Sequence, residues 1–68
     1  METKVYLIAI YQLTEEESNI DLSSASDEKF VEIAERQGNV YSLEGFQDAF
    51  NRDEIASTEV YMRIISNQ

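Results

Sequence analysis

Lys4-Val5-Tyr6-Leu7-Ile8-Ala9-Ile10-Tyr11 is the stretch on which the fold turns. Side chains alternate along a strand, so Val5, Leu7, Ala9 and Tyr11 point one way and Tyr6, Ile8 and Ile10 the other. Both sets are apolar. A strand buried on one face alone would alternate apolar with polar, so this one requires cover on both faces. Its expected place is the centre of a sheet.

Three further elements read clearly. Asp27 to Gln37 is a helix: Ser26 caps it, and Asp27 and Glu28 complement its positive dipole end. Phe30, Ile33, Ala34 and Gln37 fall at i, i+3, i+4 and i+7, with Val31 beside them. Glu32 and Arg36 have the spacing of an i, i+4 ion pair. Gly38 ends the helix, because glycine takes the left-handed conformation without steric cost. Asn39-Val40-Tyr41 then reads as a short strand. Ser42 caps a second helix from Leu43 to Asn51, with Leu43, Phe46, Ala49 and Phe50 as its apolar positions. Gly45 sits in the first turn of that helix, where a missing Cβ would admit a neighbouring strand or chain. Asn51 to Glu54 is a turn, and Ile55 tucks back as an apolar anchor.

The final strand is expected over Thr58 to Ile65. Val60, Met62 and Ile64 share one face; Tyr61, Arg63 and Ile65 share the other. That pattern is more one-sided than the first strand, as an edge or half-covered strand should be. The segment Gln12 to Ala25 is polar and acidic, with only Leu13, Ile20, Leu22 and Ala25 apolar, and is expected to be a flexible loop. Thr14 and Glu17 have capping-box spacing within it, consistent with one helical turn over Thr14 to Ser18.

The order strand, loop, helix, strand, helix, strand indicates a small α/β domain, or an α+β one, with a three-stranded sheet and two helices. Two arrangements cover both faces of the first strand. Parallel, right-handed crossovers in the order 2-1-3 would put one helix on each face. Alternatively, both helices pack on one face and a second copy covers the other. The chain has 68 residues and no cysteine or histidine, so neither a disulfide nor zinc can support a small core. That favours the homodimer.

Fourteen acidic and five basic residues give a net charge of −9. A field of that sign repels phosphates, and direct nucleic-acid or anionic-membrane binding is not expected. The first apolar run is too short for a signal sequence or a membrane span. With no cysteine, the chain reads as a soluble cytoplasmic protein of one domain, residues 1–68.

Three runs carry a resemblance: Lys4 to Ala9, Gly38 to Asn51, and Tyr61-Met62-Arg63-Ile64-Ile65. Together they resemble small uncharacterised proteins of Bacteroides-type gut bacteria, over most of the chain except the acidic segment. The resemblance implies a complete, one-domain bacterial protein of the cytoplasm. It implies no activity, so it assigns no functional residue.

Enzymatic chemistry finds little to work with. Histidine, the commonest acid–base group, is absent. Ser23, Ser24, Ser26, Ser42, Ser57 and Ser66 have no base to activate them, and Lys4 and Lys29 are not placed for a Ser–Lys dyad. Glu15, Glu16, Glu17 and Asp21 lack the alternation and glycine of a calcium loop. Both helix starts carry acids, which oppose a phosphate. Tyr6, Tyr11, Tyr41 and Tyr61 fall in strands without basic neighbours, so they read as packing residues rather than a base-stacking platform. No catalytic residue, cofactor, metal site or small-molecule substrate is therefore expected. The expectation is a non-enzymatic protein-interaction module, partnered by itself or another protein, with Tyr61, Arg63 and Gly45 as interaction residues. The alternative is an acidic inhibitor that mimics nucleic acid toward a nucleic-acid-binding protein.

Overall fold

A computed structural model describes residues 2–55 and 59–67. The elements are β1 (Glu2–Ala9), α1 (Asp27–Gln37), β2 (Val40–Ser42), α2 (Leu43–Asn51) and β3 (Val60–Asn67). The expected start of the last strand at Thr58 lies outside the described residues. Both helices occupy the ranges their caps predict. The Ser26 hydroxyl accepts from the Lys29 amide and the Ser42 hydroxyl from the Gly45 amide. Gly38 adopts φ 76° and closes α1.

The three strands form one sheet in the order β2-β1-β3. β1 is central, as its apolar faces require, but it runs antiparallel to both neighbours. Of the arrangement with one helix on each face, the strand order 2-1-3 is found but the parallel crossovers do not form, for a reason visible in the loop. The segment after β1 travels back along the sheet before α1 begins, so α1 ends beside Ala9, where β1 also ends. There the Gln37 side chain accepts from the Ala9 amide (2.7 Å) and donates to the Ala9 carbonyl (3.1 Å). β2 must then start at that end and run downward. α2 carries the chain back up, and β3 descends on the far side of β1.

Gln37 also explains why β1 stops early. The sequence extends the strand to Tyr11, yet Ile10–Gln12 is a 3-10 turn. The side-chain amide occupies the backbone groups of Ala9 that a longer β2 would have paired. Ile10 is consequently exposed, and Tyr11 is 75% exposed rather than packed on a strand face. Replacing Gln37 with Leu removes both the acceptor for the Ala9 amide and the donor to the Ala9 carbonyl. We expect a loss of about 1–2 kcal/mol in unfolding free energy and faster hydrogen exchange at Ala9. Unchanged exchange there would contradict this role.

Cross-strand register assigns the two sheet faces. Tyr6 opposes Val40 and Arg63, while Val5 opposes Tyr41 and Ile64, and Leu7 opposes Met62. The first face carries the core: Tyr6 and Ile8 pack with Leu22, Phe30, Ile33 and Ala34. The second face carries Val5, Leu7, Ala9, Tyr41, Val60, Met62 and Ile64. α2 lies on it, with the Phe46 ring edge-on to Tyr41 at 6.3 Å. One helix thus covers each face within a single chain. The two-helices-on-one-face arrangement, which called for a second copy to bury β1, is not the one adopted.

The acidic segment closes the first face beside α1. Leu22 is only 2% exposed, and Leu13, Ile20 and Ala25 pack against the same cluster. Its path is fixed by a reciprocal capping box: the Glu17 amide donates to Thr14 Oγ1 (3.1 Å) and the Thr14 amide to Glu17 Oε1 (3.0 Å). Arg36 then holds Glu17 through both carboxylate oxygens and also donates to the Gln12 carbonyl. Arg36 is therefore not paired with Glu32, as helical spacing predicts; Glu32 pairs with Lys29 instead. A bidentate acceptor across the loop outcompetes a solvated neighbour one turn away.

The Thr14 amide, and after it the Arg36 guanidinium, holds the Glu17 carboxyl below its ordinary value of 4.5. A depressed folded-state pKa adds stability above the unfolded value, and that stability disappears as pH falls through the folded one. The difference in urea midpoint between wild type and Glu17→Gln should be constant above about pH 5 and shrink below about pH 4. Using the difference cancels the relief of repulsion among the other carboxylates. A gap that persists undiminished in acid would contradict the assignment.

Candidate functional site

The two faces are not equally covered. A helix is about 10 Å wide and strands lie about 4.8 Å apart, so one helix covers about two strands of a three-stranded sheet. On the first face, α1 takes one lane and the acidic segment takes the rest. On the second face, α2 packs on β2 and β1. β3 is covered less on this face, where Met62 and Ile64 are each more than half exposed.

The result is a groove with a volume of about 540 Å³ between α2 and β3. Leu7, Val60 and Met62 form its floor and far side, and Phe46, Phe50 and Ile55 its helix side. Phe46 and Phe50, one helical turn apart, pack with their rings tilted by 34° and their centroids 6.1 Å apart. Asp53 adopts φ 61° after α2 and turns the chain so that Ile55 meets the groove; aspartate tolerates this conformation better than most residues. Phe50 is 55% exposed, Met62 52% and Ile64 53%. Those side chains, with Leu43, leave a large apolar area in water.

The three residues singled out from sequence lie elsewhere. Arg63 points to the α1 side. Its guanidinium donates to the carbonyls of Ala25 (2.7 Å) and Leu22 (3.2 Å) and to the Asp27 carboxylate (3.0 Å). It also lies 4.5 Å above the Phe30 ring. This arginine joins β3 to the acidic segment and the start of α1. Tyr61 is on the same side of the sheet, facing Ile8 in register, and is 38% exposed. At Gly45, an added Cβ would meet the Ser42 hydroxyl at 3.0 Å and no neighbouring strand. The glycine leaves room for the helix cap. None of the three lines the groove.

The sequence pattern puts Val60, Met62 and Ile64 together on the apolar face of β3 and takes Tyr61 and Arg63 as the exposed residues; instead Met62 and Ile64 are more than half exposed and Arg63 is bonded on the α1 side. What the sequence could not supply was the lateral position of α2, which decides that this face stays open. Among the described residues, no three acidic side chains come together in a way that could hold a metal ion, and no helix is long and apolar enough to cross a membrane. The chain matches no protein family, no curated protein and no solved structure.

Proposed function

We propose that the chain is a small non-enzymatic protein-interaction module of the bacterial cytoplasm, whose contact surface is the α2–β3 face. One observation supports this above the others: Phe50, Met62 and Ile64 are each more than half exposed on the side of the sheet that lacks a second cover. Apolar side chains gathered this way mark interfaces, since burying them elsewhere would stabilise the fold. The partner on this reading is a second copy or another protein. β3 also presents an edge, and its only charged side chain, Arg63, is folded away toward α1, so little opposes strand addition.

The nucleic-acid mimic has less support. Acidic residues occur on β1, both helices and the connecting segments rather than on one element.

Affinity capture and light scattering on wild type and a Phe50→Ser/Met62→Ser variant test the proposal together. The expected result is a dimer that becomes a monomer in the variant, or a bound protein that the variant loses. A monomer whose captured proteins are the same in both forms would overturn it.

A further inference from the structure

The charges around the groove distinguish between possible occupants. On the second sheet face, β1 and β3 contribute only uncharged side chains: Thr3, Val5, Leu7, Ala9, Val60, Met62, Ile64 and Ser66. The bordering segment from Leu43 to Ile55 carries Glu44, Asp48, Asp53 and Glu54 against the single cation Arg52. Glu44, Gln47 and Asn51 follow one another at i, i+3 and i+7, and Gln47 and Asn51 line the groove. This line places Glu44 at one end. At the other end, Glu54 borders an adjoining hollow that shares Leu7, Ile55 and Val60 with the groove.

A second copy complements this surface poorly. Lys4, Lys29, Arg36 and Arg63 are each engaged in an ion pair within the chain. Two copies meeting at this face would bring the same acidic borders together, and like charges at an interface disfavour a partner. The open area over β3 is bounded by α2 on one side, and on the other β3 is the edge of the sheet, so a helix laid beside α2 would meet no further strand.

We infer that this area receives an amphipathic helix of a different protein, with an apolar stripe flanked by Lys or Arg. The inference rests on the reading of the α2–β3 face as an interaction surface. The stripe would pack between Phe46, Phe50 and Met62, as helix-in-groove recognition does. The flanking cations would reach Glu44 and Glu54 and raise the association rate more than the final affinity.

The test uses fluorescein-labelled model helices of alternating design: one of Leu and Lys, the other with Glu at every Lys position. Fluorescence anisotropy is read with the full chain at low and high salt, and light scattering gives the mass of the chain alone. The Leu–Lys helix should bind at least about tenfold more tightly than the Leu–Glu helix. Its affinity should fall several-fold with Glu44→Gln/Glu54→Gln or with salt. It should fall further with Phe50→Ser/Met62→Ser, checked for a folded far-UV spectrum.

Equal binding of both helices would overturn the charge assignment. Binding of the Leu–Lys helix unaffected by Phe50→Ser/Met62→Ser would reduce it to acid–base attraction and overturn the site. A wild-type dimer that this variant dissociates would also overturn the inference, because the occupant would be a second copy. That last outcome would leave the interaction-surface reading standing.

Discussion

Phe30→Ala is expected to remove a large part of the chain's stability at 25 °C. Phe30 is 1% exposed and sits among Tyr6, Ile8, Leu22, Ile33 and Ala34. Truncating a buried phenylalanine costs about 3–5 kcal/mol, part of it from the cavity left behind. A chain of 68 residues has a total stability of only about 3–10 kcal/mol. The sequence has no cysteine, so no disulfide cushions the loss. The ring also supports Arg63, so its removal weakens the clamp on the acidic segment. Far-UV circular dichroism and a urea titration check the result. A cooperative transition displaced by less than about 1 kcal/mol would show that the cluster is not the main core.

Arg63→Ala should be the second most damaging change, at about 2–3 kcal/mol. Most of that is not the ion pair with Asp27, whose carboxylate is well exposed. It comes from the carbonyls of Leu22 and Ala25, which lose a charged donor in a partly buried place. The position above Phe30 contributes further attraction between cation and ring. Lysine should recover less than half of the loss, since a single ammonium cannot reach both carbonyls and the ring as a planar fork does. Hydrogen exchange should rise over residues 20–27 in Arg63→Ala and much less elsewhere. Uniform acceleration along the chain would mean that the arginine supports the whole fold rather than this joint.

These two residues show where the sequence was legible. The helices were, because each boundary is set by local chemistry: Ser26 and Gly38 for α1, Ser42 for α2. The centrality of β1 was, because its two apolar faces allow no other place. Its end was not, since a side chain 28 residues away, Gln37, takes over the backbone groups of Ala9. The role of the acidic segment was also hidden. Its four apolar residues are too sparse for a periodic pattern, yet Leu22 is 2% exposed, within the range of the central strand's buried residues. Arg63 has the residue type and strand position of a binding hot spot, but in three dimensions it faces unpaired carbonyls of the loop. The groove lies between. The one-sided pattern of β3 is readable, whereas the absence of a second cover depends on tertiary placement.

The account stands on the claim that Met62 and Ile64 belong to a contact surface and not to the folding core. Met62→Thr/Ile64→Thr tests it, because threonine keeps the β-branched preference for strands while removing the apolar surface. The urea midpoint of this double variant should correspond to a change of no more than about 1 kcal/mol from wild type. A loss of about 3 kcal/mol or more would contradict the account, because these side chains would then be holding the fold together as core residues do.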